Sequence, residues 1–109
     1  YFANAPAGFK QFAGTLSSNN TNIVIKNLQI ITLIFNGANS SSQVNNTIAV
    51  ISDAGTQNAG GLTVGAAYDA LGGWLNMQMY ELAEYSGVHD SATQTYIKNG
   101  LAAKWNVTL

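Results

Sequence analysis

The stretch NIVIKNLQIITLIF, Asn22 to Phe35, decides how the chain is read. It is dense in β-branched residues, which favour strands. From Leu28 to Phe35, one parity holds Leu28, Ile30, Thr32 and Ile34, and the other holds Gln29, Ile31, Leu33 and Phe35. Both faces are apolar, as expected of a strand covered on both sides. Something must supply that cover.

Working outward, SSNNTN before it and NGANSSSQ after it read as polar loops, and VNNTIAVI (44–51) reads as a second strand. SDAGTQNAGG is a further loop. Beyond it the period changes. Tyr68, Leu71, Leu75, Met79 and Leu82 recur at helical spacing, predicting a helix from Thr63 to about Gly87, with Gly72 and Gly73 inside it. A last helix is expected from Ser91, with Gln94 as its capping-box partner, to about Trp105. Its stripe is Ile97, Leu101 and Trp105. At the other end, YFANAPAGFKQFAGTL reads as a short helix or an extended arm carrying Phe9, Phe12 and Leu16.

The expected fold is therefore α+β, one small domain of residues 1–109. An aromatic arm or short helix occupies 1–20, and an Ile/Val-rich β region of two or more strands occupies 21–53. A helical region at 62–105 holds two C-terminal helices packed on the sheet. An echo runs through the first half: Phe12-x-Gly14 leads by Asn19-Asn20-Thr21 to an Ile/Val run, and Phe35-x-Gly37 leads by Asn45-Asn46-Thr47 to another. It reads as a candidate duplication of a loop-strand unit.

Composition narrows the function classes. Hydrophobic residues make up 47% of the 109, which suits a globular domain, while charged residues make up only 8% and the net charge is −1. About a quarter of residues are charged in an ordinary domain. A polar but nearly neutral surface offers little self-repulsion between copies. The four basic residues, Lys10, Lys26, Lys98 and Lys104, are scattered, so no patch exists to neutralise phosphates, and nucleic acid is not an expected partner. The absence of cysteine excludes disulfides and thiolate metal sites. No apolar run reaches the roughly 20 residues of a membrane-spanning helix. The start at Tyr1, without Met, reads as a processed mature chain.

Motifs that carry chemistry are sparse. Asn-x-Ser/Thr occurs at Asn19, Asn39, Asn45 and Asn106, four times where this composition gives about two by chance. These are the candidate N-glycosylation sites, and attached glycans would supply the hydration that the missing charges do not. On the first expected helix, Asp69, Asn76, Tyr80 and Glu84 share one side, with Glu81 adjacent and His89 just beyond. Two carboxylates at i, i+3 could reach one cation, but a lone Glu-x-x-Glu is more commonly a solvated helix face, and no metal or other cofactor is expected. With one His, no Cys and no Gly-x-Ser-x-Gly, no catalytic constellation is present and no enzymatic activity is expected. His89-Asp90 reads as a turn followed by a cap. Tyr68, Trp74, Tyr80, Tyr85, Tyr96 and Trp105 fall at packing positions, and no spacing selects a sugar platform.

The two helices can cover one face of a small sheet. Little apolar sequence remains for the other face, and open strand edges invite another chain. The favoured reading is a secreted or cell-surface structural subunit, open to N-glycosylation. It would self-assemble with copies of itself into a filament, pilus, sheath or surface layer. Its expected contact residues are Ile30, Ile31, Leu33, Ile34 and Phe35, with Tyr1, Phe2, Phe9 and Phe12 as an arm. The alternative is a small secreted ligand-binding or enzyme-accessory domain that uses the acidic and aromatic helix face.

Overall fold

A computed structural model describes residues 2–4, 7–57 and 77–109. Five strands and one α-helix are found among them: β1 (Phe2–Asn4), β2 (Ala7–Phe9), β3 (Ile31–Ile34), β4 (Ser41–Val44), β5 (Val50–Ile51) and α1 (Ser91–Trp105). A 3-10 turn, Gly37–Asn39, joins β3 to β4. β1 and β2 form an antiparallel hairpin, and the other strands form an antiparallel sheet of order β3-β4-β5.

The expected α+β arrangement with two C-terminal helices is corrected: a single helix, α1, is present among the described residues. The first expected helix lies outside the described residues from 63 to 76, and its remainder, 77–87, is not helical. Of the periodic residues, Met79 and Leu82 are exposed and gain little burial, and burial is what sustains most protein helices. Contacts with α1 hold this stretch instead. Trp105 Nε1 donates to Glu81 Oε2 at 2.6 Å, and the Tyr80 and Trp105 rings meet edge to face with centroids 5.3 Å apart.

The N-terminal region, expected to be an arm or short helix, contains the hairpin, with Phe2 opposite Phe9 and Asn4 opposite Ala7. Phe9 then makes a two-way backbone bridge with Asn20 (3.1 and 2.9 Å). Gly8 permits this approach, because a Cβ there would lie 2.7 Å from the Asn20 carbonyl oxygen. Further along, the amides of Ala13 and Thr15 both donate to the Ala54 carbonyl. Gly55 beside it has φ +90°, and a Cβ there would strike the Ala13 carbonyl.

The isoleucine-rich segment pairs over Ile31–Ile34 alone. Upstream, Lys26 takes a left-handed conformation, and the Gln29 side chain folds back to serve the backbone. Its Oε1 accepts from Val24 N (2.8 Å) and its Nε2 donates to Val24 O (2.7 Å). A side-chain amide thus stands in for a neighbouring strand. The serine-rich segment expected to be a loop contributes the central strand, β4. The expected 44–51 strand is interrupted after Val44, where Asn45 turns with φ 49°, and resumes as β5. The sequence echo has no structural counterpart: Ile23–Ile25 carries no strand, whereas the second half supplies β4 and β5.

Helix α1 begins at Ser91, as expected, and Asp90 is its cap. Asp90 Oδ1 accepts from Thr93 N at 2.7 Å, and Gln94 Nε2 reaches back to the His89 carbonyl at 2.6 Å. Asn106 ends the helix in the left-handed conformation (φ 54°). Lys98 Nζ donates to Gln43 Oε1 (3.1 Å) and Asn45 O (3.2 Å), tying α1 to the sheet. Among the described residues, no helix is long and apolar enough to cross a membrane.

Candidate functional site

The sheet has a covered centre and an uncovered edge. Opposite residues in an antiparallel pair share a face, so Ile31 lies with Val44 and Leu33 with Ser42. Above β4 this face is sealed. Ser40, Ser42 and Val44 are buried, as are Phe9, Gln11, Ser17 and Asn20 of the N-terminal segment. Asn20 Nδ2 donates to both the carbonyl (3.0 Å) and the hydroxyl (3.2 Å) of Ser42, and its Oδ1 accepts from Asn22 N (3.0 Å). Gln11 Nε2 donates to Ile34 O at 3.0 Å.

The cover stops short of β3. Ile31 is 38% exposed, Leu33 45%, and Phe35, directly after the strand, 53%. The backbone of this strand is also open on one side. Ile30 faces Asn45 through the bond from Asn45 N to Ile30 O (2.8 Å), so the even-numbered residues of β3 face β4. By the alternation of an antiparallel ladder, the N–H and C=O groups of Ile31 and Leu33 point away from β4. Among the described residues, the sheet places no strand on that side. Backbone donors and acceptors without a strand partner and exposed apolar side chains therefore lie, among the described residues, along one row.

Among the other expected contact residues, Phe12 is 60% exposed, Ile30 and Ile34 are half-buried, and Phe9 is buried under the chain's own fold. Phe2 lies in β1, and Tyr1 falls outside the described residues.

The four sequons divide into two kinds. Asn45 is occupied at both ends of its amide: Oδ1 accepts from Ile30 N (2.8 Å) and Nδ2 donates to Thr108 O (3.0 Å). The Asn19 side chain packs against Gly8, with its Oδ1 buried and unpartnered. Asn39, on the 3-10 turn, and Asn106, at the end of α1, are exposed.

The acidic face is not assembled as expected. Asp69 and Asn76 lie outside the described residues, and Glu81 and Glu84 sit on non-helical chain. Glu81 is engaged by Trp105 and by Lys104 (2.9 Å). The Trp105 indole, then the Lys104 ammonium, hold its carboxyl below the ordinary value. Among the described residues, no cluster of His, Asp or Glu could hold a metal ion. His89 packs its ring edge to face on Tyr85, with centroids 4.8 Å apart, leaving Nε2 buried without a partner. Beside it runs an open groove of about 500 Å³ between Tyr85, Tyr96, Leu101 and Lys104, with no convergent polar set.

Sequence reasoning missed Asn20 and Ser42, the polar pair at the centre of the covered face. It also missed Ile48 and Ile51, exposed at the opposite end of the sheet (90% and 69%). Nothing in the pattern separates these isoleucines from those of β3. No protein family, curated protein or solved structure matches the chain.

Proposed function

We propose that this protein is a secreted or cell-surface structural subunit that assembles with copies of itself into an extracellular filament, pilus, sheath or layer. The observation that carries the reading is the β3 row: among the described residues, an uncharged edge strand with exposed Ile31, Leu33 and Phe35 beside an open backbone ladder. Monomeric proteins blunt such edges with charge, proline or a covering element. Here no charged residue occurs between Lys26 and Asp53. Growth beyond a pair of subunits requires a second contact surface, and Ile48, just before β5, and Ile51, within it, are exposed as well. The net charge of −1 opposes close approach only weakly.

N-linked glycans belong to this reading at Asn39 and Asn106, whose side chains are exposed; sugars at Asn19 or Asn45 would displace packed or hydrogen-bonded amides. Electron microscopy of the concentrated native protein tests the assembly. Ordered filaments or sheets are expected; dispersed single particles that stay monomeric by light scattering would contradict it. Peptide mass spectrometry of the same material tests the glycans, with hexosamine-linked mass expected on the peptides containing Asn39 and Asn106.

A further inference from the structure

The β3 edge has a pattern that selects its partner. The residues whose backbone groups point outward, Ile31 and Leu33, also carry the exposed side chains, and Phe35 continues the row. We infer that β3 pairs with β3 of a second copy, antiparallel about a two-fold axis through Leu33. This rests on the self-assembly reading above and names its first contact.

Three features lead to that partner. An open ladder of N–H and C=O groups needs another strand, because a bare apolar surface leaves them unpaired. The segment is uncharged from Asn27 to Ser52, so two copies meet without like charges opposed, whereas a charged peptide would find no counter-charge. The register closes on itself. An antiparallel pair must join outward-facing residues, and centring on Leu33 sets Leu33 opposite Leu33 and Ile31 opposite Phe35. All the exposed side chains of the row then fall on one face and cover one another, while Thr32 meets Ile34 on the other. The two three-stranded sheets become one continuous sheet, β5-β4-β3-β3-β4-β5. A two-fold contact is closed, so this dimer is the building block, and a separate surface propagates it.

The absence of cysteine allows a direct register test with single-cysteine variants of the full chain. Leu33→Cys places two thiols at a hydrogen-bonded pair about 5.5 Å apart at Cα, within disulfide reach. Ile31→Cys and Phe35→Cys each lie about 13 Å from their own symmetry mates by strand rise, but opposite each other. Under mild oxidation, L33C is expected to form a disulfide dimer at least tenfold faster than Ile51→Cys, an exposed control on β5. I31C and F35C are expected to cross-link when mixed and not when alone. L33C reacting no faster than I51C, or I31C and F35C each cross-linking alone as parallel strands would, overturns the pairing. If micrographs show ordered assemblies while these cross-links fail, the pairing falls and self-assembly stands. If the wild-type protein is also monomeric, both fall.

Discussion

Above β4 the sheet buries Asn20, Ser40 and Ser42 together with Val44, whereas β3, one strand away, leaves Ile31, Leu33 and Phe35 in contact with water. The usual partition is reversed between the two regions. Buried polar groups and contiguous exposed apolar ones are the informative departures from ordinary burial. The covered centre is finished: Asn20 uses both ends of its amide, and small serines let the N-terminal segment approach β4 closely. Among the described residues, the edge has neither a strand beside its backbone nor cover over its side chains. The chain uses buried polar residues to hold its own segments together and leaves large apolar ones exposed.

The contrast breaks most violently at Phe9, the largest apolar side chain in the covered centre. Phe9→Ala is expected to cost about 3–5 kcal/mol, read as a lowered urea midpoint. Asn20→Leu tests whether polarity at the centre is needed. Although more hydrophobic, it removes the bonds from Asn20 to the buried Ser42 hydroxyl and carbonyl and the bond from the Asn22 amide, and is expected to lose about 1–2 kcal/mol. A stabilised N20L would show that the buried polar layer is dispensable. Leu33→Ser sharpens the other side. Stability is expected to change by no more than about 0.5 kcal/mol, because the site is half-exposed, while sedimentation velocity shows self-association lost.

The smallest effect concerns the N-terminal cap of α1. The backbone amide of Thr93, with its side chain second, keeps the Asp90 carboxyl below its ordinary value. A depressed carboxylate contributes stability that is fully present above its unfolded value and is lost as pH falls through the folded one. Helical ellipticity at 222 nm is therefore expected to decline on acidification below the ordinary carboxylate range, and Asp90→Asn to flatten that decline.

Part of this was legible in the sequence. The boundaries of α1 followed from its apolar stripe and the turn-and-cap reading of His89-Asp90. The Ile-rich segment did contain a strand, and its excess of apolar residues was visible as two apolar parities. Its true length was hidden, because Gln29 satisfies Val24 through a side chain, which no hydrophobic period reports. β4 was hidden for the opposite reason: SSQV looks like a loop until Asn20 and the flanking strands are in place. The spacing that ends at Met79 and Leu82 pointed to a helix, but these two residues are exposed, and Glu81 between them is held by Trp105 instead. The sequons were equivalent as motifs and became distinct once Asn45 was seen bridging Ile30 and Thr108.

Amide hydrogen exchange across a protein-concentration series, resolved by residue, reads the β3 edge most directly. Thr32 N–H, turned toward β4, should be protected at every concentration, while Ile31 and Leu33 N–H should exchange freely in dilute solution and gain protection as copies associate. If the Ile31 and Leu33 amides exchange equally fast at all concentrations, including those of the assembled native material, β3 does not recruit a second chain.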